Sequence, residues 1–147
     1  MIQGQNMLAK AISLAAKGHE LKLDKGGKPY ILHPLRIMLR LRTEDQELMS
    51  IAVLHDLIED TKTTFTDLLM LGFSDRVLTA LKALTHQPGV SYEDYIEIIA
   101  ENPDARRVKT EDLRDNSDIT RLKGLEQSDF ERLAKYAKAY QRLTQEK

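Results

Sequence analysis

The stretch Ala52-Val-Leu-His-Asp-Leu-Ile-Glu-Asp-Thr61 decides how this chain is read. Ala52, Val53, Leu54, Leu57 and Ile58 make a nearly continuous apolar run with helical spacing, without the strict alternation of a half-buried strand. On that helix His55 and Glu59 stand four apart and share a face. Asp56 and Asp60 repeat the spacing one step around. So much acid among apolar neighbours is unfavourable for packing alone. Buried charge needs a partner, and a divalent cation is an effective one. The same residues also suit a solvated helix face, although acids at a helix C-terminus oppose the macrodipole.

Outward from this stretch the signals remain helical. Met7, Leu8, Ala11, Ile12 and Ala15 lie on one face, as do Phe130, Leu133, Ala134 and Ala137. Helices are expected at about 34–42, 45–59, 65–71, 75–84, 92–101 and 103–117. Thr43 with Gln46 and Ser128 with Glu131 read as capping boxes, and Thr64 with Asp67 and Ser91 with Asp94 as acidic versions. Pro34 and Pro103 suit first-turn positions. The segment Leu23-Asp-Lys-Gly-Gly-Lys-Pro-Tyr30 is the clearest loop. No repeat, linker or sheet-forming alternation appears, so the expected fold is all-α, a compact helical bundle forming one domain over 1–147.

Composition narrows the chemistry. Net charge is −1, which gives no electrostatic case for nucleic acid or membrane binding. Cysteine is absent, so any metal site must use imidazole and carboxylate. The start, Met1-Ile-Gln-Gly-Gln-Asn6, has no basic stretch leading into an apolar run, and no apolar stretch approaches a membrane span. A soluble cytoplasmic protein is expected.

Two further pieces carry functional side chains. In Lys25-Gly-Gly-Lys-Pro-Tyr-Ile-Leu-His-Pro34, His33 precedes a proline, which favours an extended backbone and a defined ring direction. In Val108-Lys-Thr-Glu-Asp-Leu-Arg-Asp-Asn-Ser-Asp118, Asp112 and Asn116 share a face at i, i+4. Taken singly, each also fits a capping histidine or a solvated acidic helix.

Together, Pro29-Tyr-Ile-Leu-His-Pro34, Leu54-His-Asp-Leu-Ile-Glu-Asp-Thr61 and Lys109-x-x-Asp112-x-x-x-Asn116 resemble the HD-domain superfamily, and within it the alarmone hydrolase domain of the RelA/SpoT family. The resemblance covers about residues 8–123. It implies that His33, His55, Asp56 and Asp112 are metal ligands. Two imidazoles and two carboxylates suit a borderline divalent ion, manganese foremost. It implies that Glu59 and Asp60 orient or deprotonate the attacking water, and that Lys25, Lys109 and Asn116 contact the substrate. Arg106, Arg107 and Arg114 are further phosphate-binding candidates. The implied reaction is release of pyrophosphate from the 3′ position of guanosine 3′,5′-bis(diphosphate), ppGpp, with a part in the stringent response. The implied partner is a phosphorylated nucleotide, with neither nucleic acid nor membrane; a homo-oligomer is left open. The synthetase domain of the long family members is not expected in 147 residues.

The resemblance departs at two places. Family members carry an arginine that packs on the guanine base where this chain has Asp24, and an acid cannot replace a guanidinium plane over a purine. Within 109–116, Thr110, Glu111 and Asp115 also differ from the family pattern. Two alternatives therefore stay open: a hydrolase of a different nucleotide, and a non-catalytic nucleotide-binding module. Of the other histidines, His19 is expected to pack or to support a ligand, and His86 to end a helix. Tyr92 and Tyr95 are expected to pack in the interior with their hydroxyls at the rim.

Overall fold

The computed structural model describes residues 7–145; the leader-free reading of 1–6 falls outside them. The elements run α1 (Met7–Gly18), α2 (Leu32–Arg40), α3 (Gln46–Leu54), α4 (Leu57–Asp60), α5 (Phe65–Met70), α6 (Asp75–Leu84), α7 (Tyr92–Ala100) and α8 (Pro103–Asn116). A 3-10 turn (Ile119–Arg121) and α9 (Gln127–Thr144) complete the order. No strand is present among the described residues, only an isolated antiparallel bridge between Leu23 and Pro29, so the all-α expectation holds.

The bundle is arranged around α3 and α8. Helix α3 is apolar on nearly every side, with Ile51, Ala52, Val53 and Leu54 all at 0% exposure, as a helix enclosed by others must be. Its neighbours are α1, α2, α6 and α8. Each fully buried Leu, Ile or Val contributes roughly 1.5–3 kcal/mol relative to exposure. Ser50, also in this enclosed helix, turns its hydroxyl back to the Gln46 carbonyl at 2.7 Å. Helix α8 is just as central, packing on α2, α3, α6, α7 and α9. Unlike α3 it is highly charged, yet Glu111, Asp112 and Asp115 are buried.

Several local expectations hold. Thr64 forms the full capping box with Asp67, Ser91 accepts from the Asp94 N–H, and Pro103 opens α8. Asn102 caps that helix through the Ala105 N–H.

Others need correction. The expected helix 45–59 is broken: α3 ends at Leu54, and Asp56 has φ −119° and ψ 7° before the single turn of α4. The N-cap of α3 is Asp45, which accepts from Glu47 and Leu48 N–H groups. Thr43 instead accepts from the Asp45 N–H at 3.1 Å. A carboxylate two residues closer to the helix displaces the hydroxyl. Likewise Glu126 and Asp129, rather than Ser128 and Glu131, make the reciprocal box that begins α9. The buried face of α9 runs through Asp129, Ala139 and Leu143, with Tyr136 and Tyr140 half-buried, while Phe130, Ala134 and Ala137 are exposed. Tyrosine bodies and one small alanine form that stripe, a less conspicuous pattern than the Phe-Leu-Ala spacing. Helix α2 starts at Leu32, so His33 is helical rather than extended. The pre-proline bias is overridden by two buried carboxylates that bind its ring.

Candidate metal centre and adjoining cavity

Three segments distant in sequence meet at one point. The first turn of α2 brings His33, the break between α3 and α4 brings His55 and Asp56, and the middle of α8 brings Asp112. All four are buried, none above 8% exposure. Neighbouring residues on a regular helix project about 100° apart. The non-helical backbone at Asp56 lets the His55 and Asp56 side chains approach each other. This replaces the i, i+4 argument made on an unbroken helix.

The candidate donor atoms are close. His33 Nε2 lies 2.9 Å from Asp112 Oδ1, and His55 Nε2 lies 3.3 Å from the same oxygen. His55 Nε2 is 3.7 Å from Asp56 Oδ2. One atom each from His33, His55 and Asp112 fall within 4.8 Å of one another, and so do those of His19, Asp56 and Asp60. The far nitrogen of each ring is committed elsewhere. His55 Nδ1 meets the Ala52 carbonyl at 2.8 Å, and His33 Nδ1 meets Asp115 Oδ2 at 2.6 Å. Both rings thus turn Nε2 inward.

The electrostatics reveal a demand for positive charge. Burial pushes His55 down, but Asp56 and Asp112 outweigh burial and bring its imidazole up to about 9. His33 is raised too: burial opposes its charged form, and hydrogen bonds to Asp112 and Asp115 prevail. Burial favours protonation of Asp56 and Asp112, yet His55, Lys109 and their hydrogen-bond partners hold both well below the usual carboxylate range. Lys109 donates to Asp112 Oδ2 at 2.8 Å. The Tyr30 hydroxyl donates to Asp56 Oδ2. His19 Nε2 is 3.3 Å from Asp56 Oδ1, but without hydrogen-bond geometry, so that buried oxygen has no hydrogen-bond partner. Two imidazoles, two ionised carboxylates and one orphaned carboxylate oxygen are a donor set that fits a divalent metal.

The remaining expected residues divide. Asp60 reaches the centre's edge, where its Oδ2 is paired with Lys22 Nζ at 2.7 Å. Glu59 is exposed and accepts the His86 backbone N–H at 2.5 Å. Beside the centre opens a cavity of about 450 Å³ whose lining includes Lys25, Tyr30, His33, Asn116, Arg121 and Arg132. Lys25 and Asn116 therefore sit where a substrate contact was expected, and Asn116 also donates to Asp112 Oδ1 at 3.0 Å. Lys109 does not line this cavity; it neutralises Asp112. Arg106 and Arg107 are spent on the carbonyls of Leu143 and Leu41, and Arg114 on Glu111 and Tyr140. His19 packs beside Asp56 and is buried at 2% exposure. His86 lies just past α6, stacked on Tyr95 with ring centroids 4.5 Å apart. Tyr95 packs in the interior, its hydroxyl on the Leu84 carbonyl at 2.6 Å.

Asp24 has its own local role. It accepts from the backbone N–H groups of Gly26 and Lys28 and pairs with Arg121 at 3.2 Å, so the loop closes on the 3-10 turn. Gly26 is required there, because a Cβ would run into the Arg121 carbonyl oxygen. Three residues of this neighbourhood had no role assigned from sequence: Tyr30, Arg121 and Asp115, the last noted only as a departure from the family pattern. Tyr30 lies inside the quoted lead-in to His33, and Asp115 is one helical turn beyond Asp112, so spacing alone was a usable signal for both.

No protein-family model matches the chain. Comparison with curated proteins finds a guanosine-3′,5′-bis(diphosphate) 3′-pyrophosphohydrolase of Aquifex aeolicus, 33% identical over 119 residues, covering 74% of this chain and 17% of that protein. A protein of Danio rerio, the guanosine-3′,5′-bis(diphosphate) 3′-pyrophosphohydrolase MESH1, is 38% identical over 68 residues, covering 42% of this chain and 38% of the relative. The chain thus spans well under half the length of these curated relatives. A solved structure of a metazoan ortholog of SpoT shares the fold with TM-score 0.76 at 20% identity, over 97% of this chain and 88% of the other. With its motif spacing, its helical architecture and these relatives in agreement, the chain belongs with the RelA/SpoT-like members of the HD-domain superfamily.

Proposed function

We propose that this protein is a metal-dependent phosphohydrolase that converts ppGpp and water to GDP and pyrophosphate. The observation that carries this reading is the convergence of His33, His55 and Asp112 at one buried point, with Asp56 beside them. These four residues would hold the ion, and Mn2+ suits their mixed nitrogen and oxygen donors. When bound, such an ion lowers the pKa of water and offsets charge on a phosphorus oxygen. Glu59 is the proposed acceptor of the water proton, and Asp60 holds or relays it. Lys22, already on Asp60, steadies that carboxylate. Lys25 and Asn116 would contact the substrate from the cavity wall, while Lys109 serves as counter-ion to Asp112. The relatives named for this activity support the substrate class. A cytoplasmic setting and a part in the stringent response go with it.

Asp24 favours a second reading, hydrolysis of a different pyrophosphorylated or phosphorylated nucleotide. An acid stands in the cavity wall, and its carboxylate is occupied by Arg121 and the loop backbone. The test is to incubate Mn2+-loaded protein with ppGpp and with a nucleotide panel, following products by anion-exchange chromatography. GDP and pyrophosphate from ppGpp are expected. Turnover of another nucleotide with none of ppGpp selects the second reading, and no turnover of any phosphoester sinks both.

A further inference from the structure

Asp115 is a fully buried carboxylate, at 0% exposure, that ligates nothing in the scheme above. It lies three residues after Asp112 on α8, so the two carboxylates occupy neighbouring positions on one helix face. Its surroundings are unusual. Oδ2 meets His33 Nδ1 at 2.6 Å. Arg36 binds both oxygens, Nε to Oδ1 at 2.8 Å and Nη2 to Oδ2 at 3.0 Å. Arg40 Nη1 approaches Oδ1 at 3.2 Å. Arg121 Nη2 donates to the Asp115 backbone carbonyl at 2.7 Å and stands 3.7 Å from Oδ2.

Three guanidiniums thus surround this carboxylate besides the imidazole. An ionised carboxylate only accepts hydrogen bonds. The His33 ring therefore donates from Nδ1 to Asp115, and Nε2, 2.9 Å from Asp112 Oδ1, is the atom turned to the centre. We propose that Asp115 is a positioning residue: by accepting from Nδ1 it fixes the direction of the His33 ring, and Arg36 and Arg121 hold Asp115 in place. This rests on the reading of His33 as a metal ligand. Acceptors behind ligating histidines raise metal affinity by about 10- to 100-fold in other proteins.

A merely structural ion-pair cluster predicts something different from a positioning residue, and Asp115→Asn separates them. The amide keeps the volume. With its one oxygen on Arg36 Nε and Arg40, where Oδ1 stands now, its NH2 faces His33 and turns Nδ1 into an acceptor. The ring proton then moves to Nε2, the atom needed for the metal. Mn2+ binding by isothermal titration calorimetry should weaken about 10- to 100-fold in Asp115→Asn. Arg40→Met removes a guanidinium but leaves the Asp115–His33 bond, and should bind Mn2+ within about threefold of wild type. Asp115→Asn binding as tightly as wild type overturns the proposal alone. Wild-type protein that takes up no divalent ion overturns it together with the proposed function. Should Asp115→Asn fail to fold by circular dichroism, nitrogen-15 NMR of Zn2+-loaded wild type decides: a protonated Nδ1 on His33 supports the proposal, and a protonated Nε2 refutes it.

Discussion

The metal centre and the cavity wall beside it are built by different means. The centre rests on α2, α3 and α8, three helices that pack on one another. Each of the four proposed ligands meets another group: the Ala52 carbonyl behind His55, Asp115 behind His33, Tyr30 on Asp56, Lys109 on Asp112. The wall rests on the loop around Lys25 and on the turn that carries Arg121, joined through Asp24 and the close approach at Gly26. The difference teaches where this protein can vary. Groups enclosed by helices and tied to buried partners are constrained on every side, whereas a wall made of loops can change its side chains without disturbing the core.

This contrast can be broken by experiment. Asp56→Ala removes a ligand and should abolish Mn2+ binding in calorimetry and lower turnover at least about a thousandfold. Glu59→Gln should leave Mn2+ affinity intact and lower kcat about a hundredfold in steady-state assays of GDP release. If it lowers metal affinity instead, Glu59 belongs to the centre and not to the chemistry beside it. Lys25→Ala should raise KM about tenfold, the worth of one charge-assisted hydrogen bond, with kcat and Mn2+ affinity unchanged. A fall in kcat alone would show that wall and centre are coupled. Gly26→Ala forces the loop off the Arg121 carbonyl at a cost of about 1 kcal/mol, so KM should rise only about fivefold. Loss of Mn2+ binding in that variant would mean that the wall positions the ligands.

The two regions were also unequally legible in the sequence. The apolar residues at 52–58 read as a helix, and the wording around His33, His55 and Asp112 pointed to one shared site. The structural role of Asp24 was not legible, because its partner Arg121 lies 97 positions away. Helix α8 misled for a physical reason. Its density of Asp, Glu, Lys and Arg is that of a solvated face, yet Glu111, Asp112 and Asp115 are buried because each meets a cation from the chain: Arg114, Lys109 and Arg36. Periodicity registers hydrophobic burial and is blind to burial by charge compensation. It was equally blind to the break at Asp56, since the apolar pattern continues across it without a glycine or a proline.

That break has a consequence for anyone who would transplant this site. Copying His33, His55, Asp56 and Asp112 onto the smooth helices of an idealised bundle would reproduce the residues and lose the geometry, because adjacent positions on an unbroken helix would diverge. The portable unit is the backbone step at Asp56 together with the leucines that anchor it on either side, Leu54 and Leu57, both at 0% exposure. A scaffold unable to accommodate that irregularity could host either the histidine or the aspartate, but not the pair.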